Sequence, residues 1–285
     1  MANFLGEFRD VLAMGKDLPT LPGVVLELHT ALDDELVSQT EISGIINRDP
    51  PLATRLLRLA NSAAFNCGTP VGDVSSAIQL LGVRQVRLLC VALSVVKVFS
   101  NGQGVLEHRS FWRHSAAVAR AVRELARRLG YTGTPLAHLY IGGLLHDVGL
   151  LLLDQYFPQK LRHSLDMAQD GDEPLWRIES FVLGTDHGEL GGLLLGRWML
   201  PESIVSMVAD HHHPKESPKK YRDPCWLIYA AEVICSGLGP SIPIERLTQA
   251  RAESIVGIIR SADYSIDELL DDLDANTEMS VALPN

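Results

Sequence analysis

The chain has 285 residues, of which 46% are hydrophobic and 21% charged, and its formal net charge is −10 at pH 7. This length is enough for one large domain or two modest ones, each with a packed core. The acidic balance argues against a nucleic-acid-binding platform, which needs a basic face to neutralise phosphates, so no nucleic-acid partner is expected.

The first third of the chain is predicted to be helical, because its apolar residues recur at intervals of three and four rather than in alternation. A first helix follows the two prolines of the segment LPTLP. Thr40 is the expected N-cap of the second helix, and Pro50–Pro51 ends that helix and opens a third, since proline is tolerated in a first turn. Two more helices are predicted within residues 71–99, with a break at Gly82.

The remainder of the chain is also predicted to be helical. The segment NGQG at 101–104 predicts a boundary or a long turn. The long helix that follows is expected to end at Gly130, in the C′ position. Residues 271–285 are acidic and poor in core-forming residues, which predicts a flexible tail. The sequence therefore predicts an all-α protein with a helical N-terminal lobe over 1–104 and a second helical lobe, including the C-terminal helices, over 105–270.

The location expected from the sequence is the cytoplasm, with no membrane association. The longest apolar runs, at 88–96 and around His146, are shorter than the roughly 20 residues that a bilayer helix needs. The start MANFLGEFRD lacks the pattern of a secretory signal. The cysteines form no C-x-x-C pair and suit a reducing compartment: Cys67, Cys90, Cys225 and Cys235. The sequence leaves the oligomeric state open.

His146 and Asp147 lie side by side in the apolar stretch GGLLHDVGLLLL. A polar side chain that is buried without a partner is unfavourable by several kcal/mol, so this pair needs partners or contact with water. Adjacent positions of a helix diverge by roughly 100°, so the two side chains are expected to face different directions. They could still meet at a metal ion placed between those directions, or Asp147 could bridge two ions.

The ten histidines fall into two groups. Five lie among polar neighbours or near helix ends, where surface or hydrogen-bonded structural roles are expected: His29, His108, His138, His163 and His213. His114 and His187 lie on the apolar faces of their predicted helices, and His211–His212 follow the apolar run IVSMVA. Buried imidazoles and a carboxylate are accommodated most readily by sharing a cation such as iron, manganese or zinc. A metal-free arrangement, in which Asp147 orients a histidine by hydrogen bonding, remains open at this point.

The order of these groups along the chain resembles the HD superfamily of metal-dependent phosphohydrolases: His114, His146–Asp147, Asp186–His187 and His211–His212. Within that superfamily the chain is similar to the HDOD domain, the HD-related output domain of bacterial signalling proteins, over roughly residues 18–215. The most specific stretches are LPTLPGVVLELHTAL and IINRDPPLATRLLRLANSAAF, followed by VSSAIQLLGVRQVRLLCVA, FWRHSAAVA, LLHDVG and TDHGELGGLLLGRW. The resemblance implies a helical N-terminal lobe packed on an HD-type helical lobe, and a signalling or interaction role.

The resemblance also implies a site for one or two divalent transition-metal ions, iron first and manganese or zinc as alternatives. The matching ligands are His114, His146, Asp147, His187, His211 and His212, with Glu232 where the family's last aspartate would fall. Asp147 is the residue to which a catalytic role would be carried over. Leu150 stands where the cyclic-dinucleotide phosphodiesterase branch has a phosphate-holding lysine, and the GYP segment of that branch is absent.

Three functions follow as hypotheses. The favoured one is a free-standing signalling or regulatory module with a retained metal site, acting through a protein partner. The alternative is a metal-dependent phosphohydrolase or phosphodiesterase acting on a nucleotide or cyclic dinucleotide, in which two ions clamp the phosphoester. For that case the arginines that could meet the phosphate are Arg84, Arg87, Arg113 and Arg197. The third hypothesis is a metal-free helical scaffold that keeps the histidine cluster as a relic.

Overall fold

The computed structural model describes residues 21–236 except 33–36, 63, 66–67, 100–103 and 172. These residues form helices and no strand, so the all-α prediction is confirmed. They divide into two compact units, residues 21–99 and residues 104–236, here called the N-terminal unit and the C-terminal unit. The predicted acidic tail at 271–285, and any helices after residue 236, lie outside the described residues.

The N-terminal unit contains five helices among its described residues: α1 Gly23–Leu32, α2 Gln39–Asn47, α3 Pro50–Ala60, α4 Val74–Leu81 and α5 Val83–Val98. Helices α1, α3 and α4 all pack against α5. Its second half, from Leu88 to Val96, is buried at every position. A helix that is apolar on all sides is stable in water only when neighbours cover it, as they do here.

The ends of these helices test three predictions. Thr40 is not the N-cap of α2: the cap is Ser38, whose hydroxyl accepts from the backbone N–H of Glu41 at 3.1 Å. Serine is the better N-cap residue of the two, and α2 begins two residues earlier than a cap at Thr40 would place it. Pro50 begins α3 as predicted, and Gly82, with φ of 82°, separates α4 from α5 as predicted.

The C-terminal unit holds the longer series of helices: α6 His108–Arg128, α7 Leu136–Leu145, α8 Val148–Tyr156, α9 Pro158–Asp170, α10 Leu175–Leu183, α11 His187–Arg197, α12 Glu202–Ala209 and α13 Arg222–Ser236. Helix α6 packs against α7 and α13, whereas α11 packs against α8 and α12. Gly130, with φ of 61°, follows α6 in the C′ position as predicted, and Tyr131 N–H bonds back to Ala126 O at 2.8 Å. The sequence analysis did not single out α9.

Two glycines beside the His146–Asp147 pair allow backbones to approach closely. A Cβ added at Gly143 would lie 2.9 Å from the Cα of Ala119 on α6. A Cβ added at Gly149 would overlap the backbone oxygen of His187 on α11. The two helices on either side of the pair are thus held directly against the helices that carry other candidate ligands.

One stretch of the described residues is long and apolar enough to resemble a membrane span. It runs from Leu136 to Tyr156, which is 21 residues and longer than the run counted from the sequence, and its most apolar 18-residue window has a mean hydropathy of 1.6. Of its most apolar window, 89% is buried inside the protein. This burial is typical of the core helices of a globular domain, and the stretch is interrupted at His146–Asp147, between α7 and α8.

Asp154, near the end of α8, is a buried carboxylate outside the candidate site. It accepts from the backbone N–H of Leu106 at 3.1 Å, from that of Val105, and its Oδ2 lies 3.0 Å from His108 Nε2. Burial opposes its ionisation, but His108 and the two amides outweigh this and hold the Asp154 pKa below its ordinary value. The carboxylate therefore fixes the segment that enters α6.

We expect Asp154→Asn to lower the free energy of unfolding by about 2–4 kcal/mol at pH 7, because an amide cannot replace a buried carboxylate on three donors. Since the folded pKa is depressed below 3.8, the contribution is complete above that value and is lost as the pH falls through the folded pKa. The measurement is urea unfolding of both proteins from pH 7 down to pH 3. The exposed Asp166→Asn on α9 serves as the control. If the difference in unfolding free energy between the wild type and Asp154→Asn did not change with pH, the stabilising role of the ionised Asp154 would be contradicted.

Candidate metal centre

All seven predicted metal ligands lie in the C-terminal unit, on five separate chain segments. They come from α6 (His114), the turn between α7 and α8 (His146 and Asp147), the first residue of α11 (His187), the turn after α12 (His211 and His212) and α13 (Glu232). Residues 118 positions apart in the chain are thus brought to one place by the helix packing described above.

The side chains form two groups that share Asp147. One, here called the carboxylate-rich half, contains His114, His146, Asp147 and Glu232. The other, the histidine-rich half, contains Asp147, His187, His211 and His212. Within each half, one ligand atom from every residue lies within 4.8 Å of the others, so each half could hold a metal ion.

Asp147 turns one carboxylate oxygen toward each half. Its Oδ2 lies 3.1 Å from His146 Nε2, while its Oδ1 lies 3.3 Å from His187 Nε2 and 3.5 Å from His211 Nε2. His146 and Asp147 lie in a two-residue turn, since α7 ends before them and α8 begins after them, and both reach the cluster although they are neighbours in the chain. The turn lets both side chains point into the same cluster, in a disposition that suits a bridging carboxylate.

Backbone carbonyls orient two of the histidines. His146 Nδ1 lies 2.9 Å from Gly143 O, and His211 Nδ1 lies 2.7 Å from Val208 O. A carbonyl oxygen can only accept, so Nδ1 carries the proton in both rings and Nε2 turns its lone pair to the cluster. The local helix ends therefore fix which nitrogen of each ring faces Asp147.

Glu179 on α10 is the residue that sequence reasoning missed. It is fully buried, and its Oε2 accepts from His187 Nδ1 at 2.6 Å and from the backbone N–H of His187 at 2.9 Å. Burial opposes a charge on His187, but Glu179 and Asp147 outweigh it and hold the His187 pKa well above its ordinary value. A signal was present in the sequence, since Glu179 occupies the i+4 position of the apolar stripe that begins at Leu175.

The protonation states of the other ligands suit metal binding. Burial opposes ionisation of Asp147, but His146, His187 and His211 outweigh it and hold the Asp147 pKa well below its ordinary value. Burial and the neighbouring His146 lower the pKa of His114 to about 4. Burial likewise lowers the pKa of His211. At pH 7 the carboxylate is therefore charged and these two imidazoles are neutral, as metal ligands must be.

The unpartnered polar atoms test whether the residues fit a metal. His114 Nε2, His146 Nε2, His211 Nε2 and both carboxylate oxygens of Asp147 are buried without a hydrogen-bond partner. Buried polar atoms in native proteins almost always have a partner, so five such atoms in one cluster call for a shared one. Imidazole nitrogens with a carboxylate are the ligands that iron, manganese and zinc take in proteins. The residues therefore fit the metal that was expected.

The HDOD domain family model matches residues 18–214. This chain belongs to the HDOD family. Among solved structures it is similar to an HDOD domain protein of unknown function from Geobacter sulfurreducens, with 25% identity and a TM-score of 0.74 over 98% of this chain and 96% of that one. A candidate phosphohydrolase from Shewanella amazonensis SB2B shows 26% identity and a TM-score of 0.73, over 99% and 98% of the two chains.

A curated relative, an uncharacterized protein of Treponema pallidum (strain Nichols), is 26% identical over 234 residues. That match includes 82% of this chain, which spans 45% of the relative's length. The HDOD assignment is therefore carried by sequence over the greater part of the described residues, and the helical fold agrees with it.

Two positions where this HDOD domain departs from the phosphodiesterase branch can now be placed. Leu150 is fully buried in the first turn of α8, so it contributes to the core and offers no charge to a phosphate. Glu232 reaches the cluster in spite of its longer side chain, since its Oε1 lies 3.8 Å from His146 Nε2. Asp186, which precedes His187, accepts from Glu189 N–H at 2.9 Å and caps α11 rather than joining either half.

The remaining histidines and the four arginines lie outside both halves. Hydrogen bonds hold four of the five histidines that were expected to be structural, and His163 is exposed: His29 with Arg87, His108 with Asp154, His138 with Ser203 and His213 with Asp186. Of the arginines considered for phosphate binding, Arg87 contacts His29, and the others have exposed side chains: Arg84, Arg113 and Arg197. Their described contacts do not connect them to the centre.

Proposed function

We propose that this HDOD domain is a signalling module that holds one or two transition-metal ions and acts through a protein partner. The observation that carries the proposal is the burial of six of the seven ligands: His146, Asp147, His187 and His211 are 0% exposed, Glu232 1% and His212 5%, while His114 is half-buried. Catalytic metal sites keep an open position for water or substrate, whereas structural sites are enclosed by protein ligands. Enclosure of this kind favours a metal that stabilises a conformation over one that turns over a phosphoester.

The ligand residues of this chain explain how a partner could distinguish the metal-loaded form from the metal-free form. When bound, a divalent ion supplies positive charge to a cluster that contains the ionised Asp147 and the carboxyl group of Glu232. The ligands tie α6, α11 and α13 to the two turns, so the loaded and metal-free forms of the C-terminal unit differ in stability. A partner that binds one form better than the other would report that difference.

A phosphohydrolase is the second candidate, and one observation favours it. The two oxygens of Asp147 face different halves of the cluster, the disposition that two-metal phosphoester hydrolases use to hold their ions together. In that function Asp147 would be the catalytic residue, and the substrate a nucleotide or a cyclic dinucleotide. The likeness to a candidate phosphohydrolase at 26% identity is consistent with this alternative.

One set of measurements separates the two candidates. The full chain is loaded with iron or manganese and assayed with bis(p-nitrophenyl) phosphate and with cyclic dinucleotides, beside Asp147→Asn. The signalling proposal expects metal bound without turnover above the level of the variant. It also expects hydrogen exchange to slow, on metal loading, in the five ligand-bearing segments. Metal-dependent turnover that Asp147→Asn abolishes would replace the proposal with the hydrolase, and absence of metal binding would contradict both.

A further inference from the structure

Glu179 lies outside both halves of the cluster but is in contact with it through one residue. Its side chain is 0% exposed, and a single oxygen, Oε2, accepts from both the backbone N–H and the Nδ1–H of His187. His187 is the first residue of α11, and its Nε2 lies 3.3 Å from Asp147 Oδ1 and 2.8 Å from His212 Nε2. The Glu179 carboxylate thus holds both the backbone N–H and the ring Nδ1–H of His187.

The acceptor behind His187 differs from those behind the other oriented histidines. His146 and His211 each rest on a neutral backbone carbonyl, whereas His187 rests on a carboxylate. A carboxylate on Nδ1–H holds a ligand histidine in one tautomer and makes its Nε2 a better donor to a metal. This support reaches the histidine-rich half only, which makes the two halves chemically unequal.

The numbers of nitrogen ligands reinforce that inequality. The histidine-rich half offers three imidazoles and one carboxylate, and the carboxylate-rich half offers two of each. Cobalt and zinc, as borderline ions, bind well to imidazole nitrogen, while oxygen-rich sites suit harder ions such as manganese. We therefore expect zinc or cobalt to bind more tightly to the histidine-rich half, which Glu179 supports, than to the carboxylate-rich half.

We propose that Glu179 is the positioning residue of the metal centre: it holds the His187 ring with Nε2 toward Asp147 and His212, so that the histidine-rich half takes up the first zinc or cobalt ion. The inference rests on the metal site of the proposed function and adds the order of filling. The competing explanation is that Glu179 only caps the start of α11 by accepting the His187 backbone N–H.

Glu179→Gln separates these explanations, because glutamine keeps an acceptor of the same size but loses the charge. Metal-free full-length protein is titrated with Zn²⁺ or Co²⁺ alone, in competition with a chromophoric chelator. We expect the Kd of the first equivalent to rise 10–100-fold in the variant, with a smaller change for the second. Asp154→Asn is the matched control, since Asp154 is another buried carboxylate that accepts from backbone amides and contacts a histidine. It should leave both metal affinities unchanged.

A second readout reports on the ring itself. Long-range ¹H–¹⁵N NMR of the zinc-loaded wild type should show His187 protonated at Nδ1 and metal-bound at Nε2, and Glu179→Gln should show a mixture of tautomers. In a His187→Asn background, Glu179→Gln should have no further effect on affinity, because Glu179 acts through that ring. If the variant does not fold, the wild-type spectrum still decides, since a His187 ring bound through Nδ1 would overturn the inference.

Failure of the positioning role of Glu179 can be distinguished from failure of the proposed function. Wild-type affinity for the first equivalent in Glu179→Gln would overturn the positioning role and leave the metal site standing. A wild-type chain that binds neither Zn²⁺ nor Co²⁺ would overturn the proposed function and this inference with it. Equal loss of both equivalents in Glu179→Gln and in Asp154→Asn would assign Glu179 to structural support alone.

Discussion

Asp147→Asn is expected to remove tightly bound metal from protein purified without chelator. Asparagine has nearly the same size, but it carries no charge, and its amide nitrogen cannot serve as the second metal-binding oxygen. Because Asp147 belongs to both halves of the cluster, one substitution weakens both sites at once. We expect an affinity loss of more than about 100-fold, beyond the 10–100-fold typical of residues that only support a ligand.

Elemental analysis of the wild type and the variant measures this directly. One or two equivalents of iron, manganese or zinc in the wild type should fall to near zero in Asp147→Asn. Asp154→Asn makes the same chemical change at a buried site in the same unit, and it should retain the metal. Full metal content in Asp147→Asn would mean that the Asp147 carboxylate is not a ligand and that the histidines and Glu232 form the site.

Gly149→Ala is expected to destabilise the C-terminal unit by about 2 kcal/mol, within the range for overpacked cores. An added methyl group would overlap the backbone oxygen of His187, and a backbone atom cannot move aside as a flexible side chain can. Helices α8 and α11 must therefore separate, which also moves Asp147 away from His187. We expect weaker metal binding to accompany the loss of stability.

A matched substitution in the N-terminal unit gives the opposite sign. Gly44 is an exposed residue in the middle of α2, and a Cβ added there would meet nothing within 4 Å. Gly44→Ala should therefore raise the free energy of unfolding by about 0.5–1 kcal/mol through helix propensity. Urea unfolding of both variants, with metal and with chelator, checks the pair. A Gly149→Ala protein as stable as the wild type would show that the close approach of α8 and α11 is not needed.

The ligand residues could be predicted from the sequence because they are polar residues in otherwise apolar segments. A histidine on an apolar helix face, such as His114 or His187, is conspicuous, and so is an aspartate between leucine-rich segments. What the sequence could not provide was their convergence. That depends on a two-residue break between α7 and α8, which no proline marks, and on glycine contacts between helices far apart in the chain.

Glu179 was missed for a different reason. Its spacing of four residues from Leu175 places it on the apolar stripe of LWRIESFVL, but its partner lies eight positions away across a turn. The local pattern could therefore indicate that Glu179 is buried, but it could not identify the histidine that Glu179 contacts, because tertiary packing brings the two together. The error at Thr40 is of another kind, since Ser38 lies two positions earlier and serine is the better N-cap residue of the two.

The break at His146–Asp147 also has a consequence for the chain before it folds. Residues 136–156 are apolar enough to be taken for a membrane-spanning helix, and Asp147 lies beside the midpoint of that stretch. An aspartate at the centre of such a helix opposes insertion into a bilayer by about 2.5–3.5 kcal/mol. The same carboxylate that belongs to both halves of the candidate metal centre therefore opposes insertion of this stretch into a bilayer. Replacing Asp147 with an apolar residue would remove that opposition together with the ligand that the two halves share.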